Sequence, residues 1–181
     1  MVVYPVNLGN VERDLRAFGG NTKLSYNFKD KLKNQASLVF EYLSGDDPDT
    51  ETYERYDTLT GGVQRDWAQG MDMIKIAINR NLRTHRLEVS VKPASGLDLS
   101  IDYYYFMADT LNNLGGQRAV STYGDEHLGQ EITPTLQWMV GESLFVQSFA
   151  SFLIPGNGLR DVLPEPTRPW KTLQLSFYWF I

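Results

Sequence analysis

The chain has 181 residues, 42% apolar and 13% aromatic, with no cysteine and a net charge of −5. It contains no run of about 18 apolar residues, which excludes a membrane-spanning helix. The absence of cysteine excludes disulfides and thiolate-bound metals, and the acidic balance argues against general nucleic-acid binding.

Residues 1–14 are weakly patterned, and Tyr4 and Val6 read as the end of a strand whose beginning lies upstream. Met1-Val-Val-Tyr-Pro5 lacks the basic start and apolar stretch of a signal peptide. An exported protein needs such a signal, so the expectation is either a soluble protein or the C-terminal piece of a longer chain. Between residues 16 and 28 the side chains alternate. Phe18, Thr22, Leu24, Tyr26 and Phe28 share one face, with Asn21, Lys23, Ser25 and Asn27 opposite; period 2 is the mark of a strand. Residues 29–34 form a polar turn. The chain returns over 35–44 with Ala36, Leu38, Phe40 and Tyr42 on one face and Ser37 and Glu41 on the other.

An acidic, turn-rich stretch begins at Gly45, and no clean alternation appears before residue 80. Within it, residues 67–78 fit a short helix or a strand equally well. Residues 71–79 are placed in the long loop, or as a strand extension above the membrane. A connection of this length inside a domain tends to be functional. Residues 82–92 alternate, with Leu87, Val89 and Val91 against Arg86, Glu88, Ser90 and Lys92. After a turn at 93–96 comes the clearest strand, 97–108. There Leu97, Leu99, Ile101, Tyr103, Tyr105 and Met107 oppose Asp98, Ser100, Asp102 and Tyr104. A polar loop covers 109–128. Residues 130–140 set Ile132, Leu136, Trp138 and Val140 against Glu131, Thr133, Thr135 and Gln137; Pro134 predicts a bulge or break. A turn at 141–143 leads to a less tidy strand, 144–154. The loop 155–169 then precedes a last strand, 170–181, with Leu173, Leu175, Phe177 and Trp179 opposite Thr172, Gln174, Ser176 and Tyr178.

About seven strands follow, and their connections alternate short and long: 29–34, 45–80, 93–96, 109–128, 141–143, 155–169. In an up-and-down sheet this puts every short turn at one end and every long loop at the other. That is the arrangement of an outer-membrane barrel, with long extracellular loops and short periplasmic turns. The expected fold is therefore all-β, an antiparallel up-and-down transmembrane barrel, here a partial barrel of about seven to eight strands. Residues 1–181 form one unit, in which 1–14 are a strand remnant and 45–80, 109–128 and 155–169 are extracellular loops.

Several segments resemble the alginate export family. They are Glu41-Tyr42-Leu43-Ser44-Gly45-Asp46-Asp47-Pro48, followed by Tyr56-Asp57-Thr58-Leu59; Asn81-Leu82 at a strand start; Gly129-Gln130-Glu131; and Phe152-Leu153-Ile154-Pro155-Gly156. The resemblance covers residues 16–181. It implies a many-stranded barrel of the cell outer membrane of Gram-negative bacteria. That barrel passes an anionic polysaccharide or related solute by passive export or diffusion, in a porin-like way, without enzyme activity or cofactor. The implied partners are the outer-membrane bilayer, the polysaccharide, and further N-terminal strands of the same barrel. Family members also carry a signal peptide and about twice as many strands, so a fragment is expected, because barrel diameter grows with strand number.

If the apolar faces meet lipid, the other faces line a lumen. The candidate lumen and solute residues are Lys23, Glu41, Arg86, Glu88, Lys92, Asp98, Asp102, Tyr104 and Glu131. Rings of charge select ions and solutes. The plainer reading is cross-strand ion pairing that holds the wall in shape. Tyr103, Tyr105, Trp138, Phe177 and Trp179 are read as interface aromatics, while Tyr104 and Tyr178 are the candidates for stacking on sugar. Asp46, Asp47, Asp49 and Glu51 are a weak Ca²⁺ candidate that lacks the EF-hand spacing; the plainer reading is a solvated acidic loop. His85 and His127 show no metal-ligand pattern. Asp98 and Asp102 lie about 13 Å apart along a strand, too far for a glycosidase pair. The alternative architecture is a soluble β-sandwich or small β-barrel that binds a ligand, its apolar face turned inward.

Overall fold

A computed structural model describes residues 5–7, 12–47, 49–56, 70–77, 80–111, 124–159 and 168–180. Ten strands form in chain order: β1 (Pro5–Asn7), β2 (Glu12–Leu15), β3 (Gly19–Asn27), β4 (Gln35–Leu43), β5 (Thr52–Tyr53), β6 (Leu82–Ala94), β7 (Leu97–Met107), β8 (His127–Val140), β9 (Leu144–Pro155) and β10 (Trp170–Trp179). Seven of them build one antiparallel sheet in the order β10-β9-β8-β7-β6-β4-β3. These are the seven strands read from alternation. Each pairs with its sequence neighbour in the sheet, which is the up-and-down arrangement. The sheet does not close: among the described residues, β3 and β10 each pair on one side only.

Three tight turns sit at one end. The β3–β4 turn is organised by Asp30, whose carboxylate accepts the Leu32 and Asn34 backbone N–H groups at 2.9 and 3.2 Å and the Asn34 amide at 2.8 Å. Where β6 meets β7 the register shifts between Val91 and Ala94, beside Pro93. A proline that cannot donate to the ladder belongs at such a bulge. Pro134, by contrast, causes no bulge. The β8–β9 register is the same before and after it, and only the pairs at Thr133 and Pro134 drop out of that ladder. Loss of one donor is absorbed because β7 still pairs with both residues.

The other end carries the long connections, and there the sequence reading missed a layer. β1 pairs antiparallel with β2, and β2 pairs parallel with β5, in a separate three-stranded sheet. The residues described within 1–14 do form strands, β1 and β2, which belong to this small sheet. The segment 70–77 lies within the long connection, one of the two placements expected for 71–79, and does not extend a strand beyond the sheet; residues 78 and 79 lie outside the described residues. It makes one 3₁₀ turn, Met73–Lys75, and packs against the polar side of the sheet near the long-loop end. Met73, Ala77, Leu82, Leu43, Phe106, Leu128 and Leu153 form a fully buried cluster there, with Leu159 from the last long loop. Leu128 reaches that side because of a bulge. Phe106 pairs with Gly129 while Met107 pairs with His127, leaving Leu128 as the extra residue. Gly129 has φ +152, and a Cβ there would lie 2.6 Å from the Ile154 carbonyl oxygen, so the bulge requires glycine.

The apolar side of the sheet has no layer over it among the described residues. Phe18, Leu24, Tyr26, Leu38, Val89, Ile101, Phe152, Ile154, Leu173, Leu175, Phe177 and Trp179 are all exposed, Leu173 at 76%. Soluble monomers rarely show a continuous apolar patch above a few hundred Å². A sandwich or small barrel with this face inward needs a covering layer, and none is present among the described residues.

Candidate functional site

The polar side of the sheet is built by the alternation itself. Antiparallel register sets Lys23 opposite Val39, Val39 opposite Arg86, Arg86 opposite Tyr104, and Tyr104 opposite Glu131. Glu88 lies opposite Asp102. Charges on neighbouring strands are therefore within reach of one another. Arg86 pairs with Glu88 through Nη2 and approaches Asp102 Oδ1 at 3.2 Å through Nε. Lys23 Nζ lies 3.2 Å from Glu88 Oε2. At this level two cations meet two carboxylates, so the wall carries no net sign. Arg86, Glu88 and Asp102 are largely covered. Nearer the short turns, Lys92 and Asp98 pair at 2.6 Å and remain half exposed.

The remaining members of the predicted set are held differently. Tyr104 is 7% exposed. Its ring stacks on Phe106 with centroids 5.5 Å apart, and the Arg86 guanidinium sits 5.9 Å from its centroid. It is packed into the wall and offers no open face for a sugar. Tyr178 is exposed on the same side, tilted against Phe145. Glu41 is fully buried beside the long-loop end. Glu131 is also fully buried, and its role is specific. Its Oε1 accepts the Met71 N–H at 2.5 Å and the Thr133 hydroxyl at 2.9 Å. Its Oε2 accepts the N–H groups of Asp72 and Met73 at 3.1 and 3.0 Å. Three consecutive backbone donors converge on one carboxylate, the kind of concavity that binds anions. Gly70 allows the approach: its φ is +67, and a Cβ would lie 2.6 Å from Glu131 Oε2.

A second tie fixes the same segment. Asp72 Oδ1 accepts the Thr172 hydroxyl at 2.6 Å from β10 and the Lys75 ammonium at 2.7 Å. Burial by itself would raise the Asp72 carboxyl. Its hydrogen bonds, from Lys75 first and then Thr172, and the nearby Lys75 charge outweigh burial and hold it below the usual aspartate range. The segment is thus latched at two points, Glu131 on β8 and Thr172 on β10. Alternation could not reveal either tie, because the partners are about 60 and 100 residues apart in sequence. The available signal was an isolated acid, Glu131, placed among Leu128, Leu153 and Phe106.

The motif 41–48 has a structural role. Ser44 donates its N–H to the Phe18 carbonyl at 2.9 Å and its hydroxyl to the Glu54 carbonyl at 2.6 Å, and its hydroxyl accepts the Phe18 N–H at 2.9 Å. Gly45 donates to Asp109 at 3.0 Å, and a Cβ on it would meet Asn81 and Thr110 at 2.4 Å. Asp46 accepts the Glu54 N–H at 2.9 Å. Asn81 accepts the N–H groups of Asp109 and Thr110 and donates to the Thr110 carbonyl. The Ser-Gly-Asp run and Asn81 therefore tie two long connections together. Pro48 and residues 57–59 of the resemblance lie outside the described residues. The acidic loop does not assemble a Ca²⁺ site: Asp46 is spent on Glu54, Asp47 on the Asp49 N–H at 3.0 Å, and no metal-holding cluster exists among the described residues.

On the apolar side, Tyr103 hydroxyl donates to Gln130 at 3.0 Å and Tyr105 stacks on His127 at 4.7 Å, both towards the long loops. Trp138, Phe177 and Trp179 are exposed towards the short turns. His85 lies tilted against Phe40 on this face and His127 stacks on Tyr105, and no metal-holding cluster among the described residues includes either.

A search of curated proteins finds no match to this chain. The family model described as "Alginate export" matches residues 7–167. The seven-stranded open antiparallel sheet, with one apolar and one charged side, is consistent with a partial outer-membrane barrel of that family, whose members are outer-membrane transport porins, not enzymes. The chain belongs to the alginate export family.

Proposed function

We propose that this chain forms part of the wall of an outer-membrane channel that passes an anionic polysaccharide or a related solute by passive diffusion. The observation that carries this reading is the two-sided sheet. One side is apolar, aromatic and uncovered; the other is charged, hydrogen-bonded and partly filled by a long connection. A single sheet with these faces is stable where one face meets lipid and the other meets water. The alternation of short turns and long loops supports an orientation with the loops 45–80, 109–128 and 155–169 outside the cell. The segment 70–77, latched to Glu131 and Thr172, narrows the lumen near its outer mouth. Lys23, Arg86, Lys92, Glu88, Asp98 and Asp102 line it below.

The sheet edges support closure by further strands. In an antiparallel sheet of seven strands, the two edge strands run in the same direction. Direct pairing of β10 with β3 would be parallel, and so would a head-to-tail ring of two copies. An all-antiparallel closure needs an odd number of further strands, which makes the total even, as in bacterial barrels. These are the further strands expected of the same barrel.

The test is ion selectivity of the assembled pore in a planar bilayer. The R86Q/K92Q double variant should shift permeability towards cations, because two lumenal cations disappear while Glu88, Asp98 and Asp102 remain. An unchanged anion-to-cation ratio would sink the lumen assignment. A protein that stays soluble and monomeric without detergent would sink the membrane reading.

A further inference from the structure

The wall between Lys23 and Asp102 is electrically balanced, so attraction of a polyanion needs cations elsewhere. They lie at the short-turn end. Lys31 and Lys33 of the β3–β4 turn and Lys92 of the neighbouring β6–β7 hairpin line one cavity of about 410 Å³, with Pro93, Ser95 and Asp98. Lys92 and Asp98 sit on the charged side of their strands, with Arg86 and Glu88. Lys92 reaches Asp98 on the charged side of β7, so the charged part of the cavity opens to the aqueous side of the sheet, with Leu97 of the apolar side at its edge.

Two features make this a preformed platform. First, the only acid in the turn is engaged. Asp30 directs its oxygens to Leu32 and Asn34, and Lys31 and Lys33 have no ion-pair partner among the described residues. Second, the two turns are joined. The Lys92 N–H donates to the Leu32 carbonyl at 2.8 Å, and Lys33 adopts φ 51, a conformation uncommon for a residue other than glycine. The cavity lining holds three lysines and one aspartate, Asp98, which pairs with Lys92 at 2.6 Å, and Asp30 adds a second negative charge in the turn, so the balance stays positive but small. The excess of positive charge falls on Lys31 and Lys33.

We propose that this two-turn platform docks the carboxylates of an anionic oligosaccharide at the short-turn mouth of the pore. The proposal rests on the channel reading and names the site where the solute is first held. Lysine ammonium groups are compact charges on flexible stems. Each exposed contact with a carboxylate is weak, and a polymer of repeated carboxylates gains by engaging several. Weak, repeated contacts suit transport, because a solute must leave as readily as it enters. A phospholipid headgroup offers the same anionic chemistry, but it would need lysines that point from the apolar side.

Isothermal titration of tetragalacturonate into the detergent-folded protein tests this. The wild type should bind with an affinity that falls as salt rises. K31Q/K33Q should weaken binding about tenfold, and D98N should tighten it severalfold; a purely structural role for the lysines would not produce the second effect. K171Q, on the apolar side at the far end, should change nothing. Equal affinity in K31Q/K33Q and wild type would overturn the proposal. So would loss of binding to phosphatidylglycerol vesicles with tetragalacturonate binding intact, which would assign the lysines to lipid. A protein without conductance that still binds tetragalacturonate through these lysines would defeat the channel reading and leave the docking site standing.

Discussion

Replacing Glu131 by alanine should release the segment 70–77 from the wall. In the native state the carboxylate accepts three consecutive backbone N–H groups, of Met71, Asp72 and Met73, at 2.5, 3.1 and 3.0 Å. Hydrogen bonds to a charged group contribute roughly 1.5–3 kcal/mol each. Three such bonds sum to about 4–9 kcal/mol if independent, but they share one acceptor and are not additive. The segment also has an escape: it can swing into water, where its donors are solvated. A loss of about 4 kcal/mol in the local opening free energy is the reasonable magnitude. That corresponds to about a thousandfold faster exchange at the amides of residues 71–73 by hydrogen–deuterium exchange, with β6, β7 and β8 remaining protected. E131Q should behave similarly, because an amide offers one acceptor oxygen and turns an NH₂ group towards backbone donors. In the channel, either variant should raise conductance. Unchanged protection at residues 71–73 in E131A would refute the latch.

The second tie depends on pH. Asp72 titrates below the usual aspartate value, so it favours the latched state while ionised and loses that contribution as pH falls through its lowered value. Protection at residues 72–75, as exchange relative to the intrinsic amide rate at each pH, should therefore be flat above about pH 4 and fall below it, and the D72N variant should remove the acid-side fall. R86Q should leave Glu88 and Asp102 facing one another with only Lys23 nearby; a cost of roughly 3 kcal/mol should appear in urea unfolding from micelles, and adding D102N should recover part of it. I101R places a charge at an exposed apolar position of the sheet. It should cost about 2–4 kcal/mol in a bilayer if that position lies near the midplane and far less in a soluble protein.

The seven strands were legible because each runs nine or more residues and all but the less regular 144–154 alternate clearly, the sign of each face surviving even past Pro134. The two-ended organisation was legible from connection lengths alone. The small sheet was not: β1, β2 and β5 span two to four residues, too short for any period to show. The segment 70–77 lies in the long connection, as read, but its docking against the sheet was not legible, for a different reason. Its position is set by Glu131 and Thr172, contacts that link distant parts of the chain and leave no periodic trace. Tyr104 was read correctly as facing the polar side, but that side is filled there by Met73 and its neighbours, so facing inward did not mean facing solvent. The ion pairs were readable from register. Arg86, Glu88, Lys92, Asp98 and Asp102 lie on the adjacent strands β6 and β7, and they pair there as Arg86–Glu88, Arg86–Asp102 and Lys92–Asp98, while Lys23 reaches Glu88 across β4.

The central claim is that the uncovered apolar side of the sheet meets lipid. Tryptophan fluorescence with brominated phospholipids tests it directly, using variants that keep one tryptophan each. Trp138 and Trp179 are exposed on that side, whereas Trp170 packs against the buried cluster on the other. Bromolipid should quench Trp138 and Trp179 strongly and spare Trp170, and aqueous iodide should leave the first two unaffected. Quenching of Trp138 and Trp179 by iodide, with no response to bromolipid, would contradict the account.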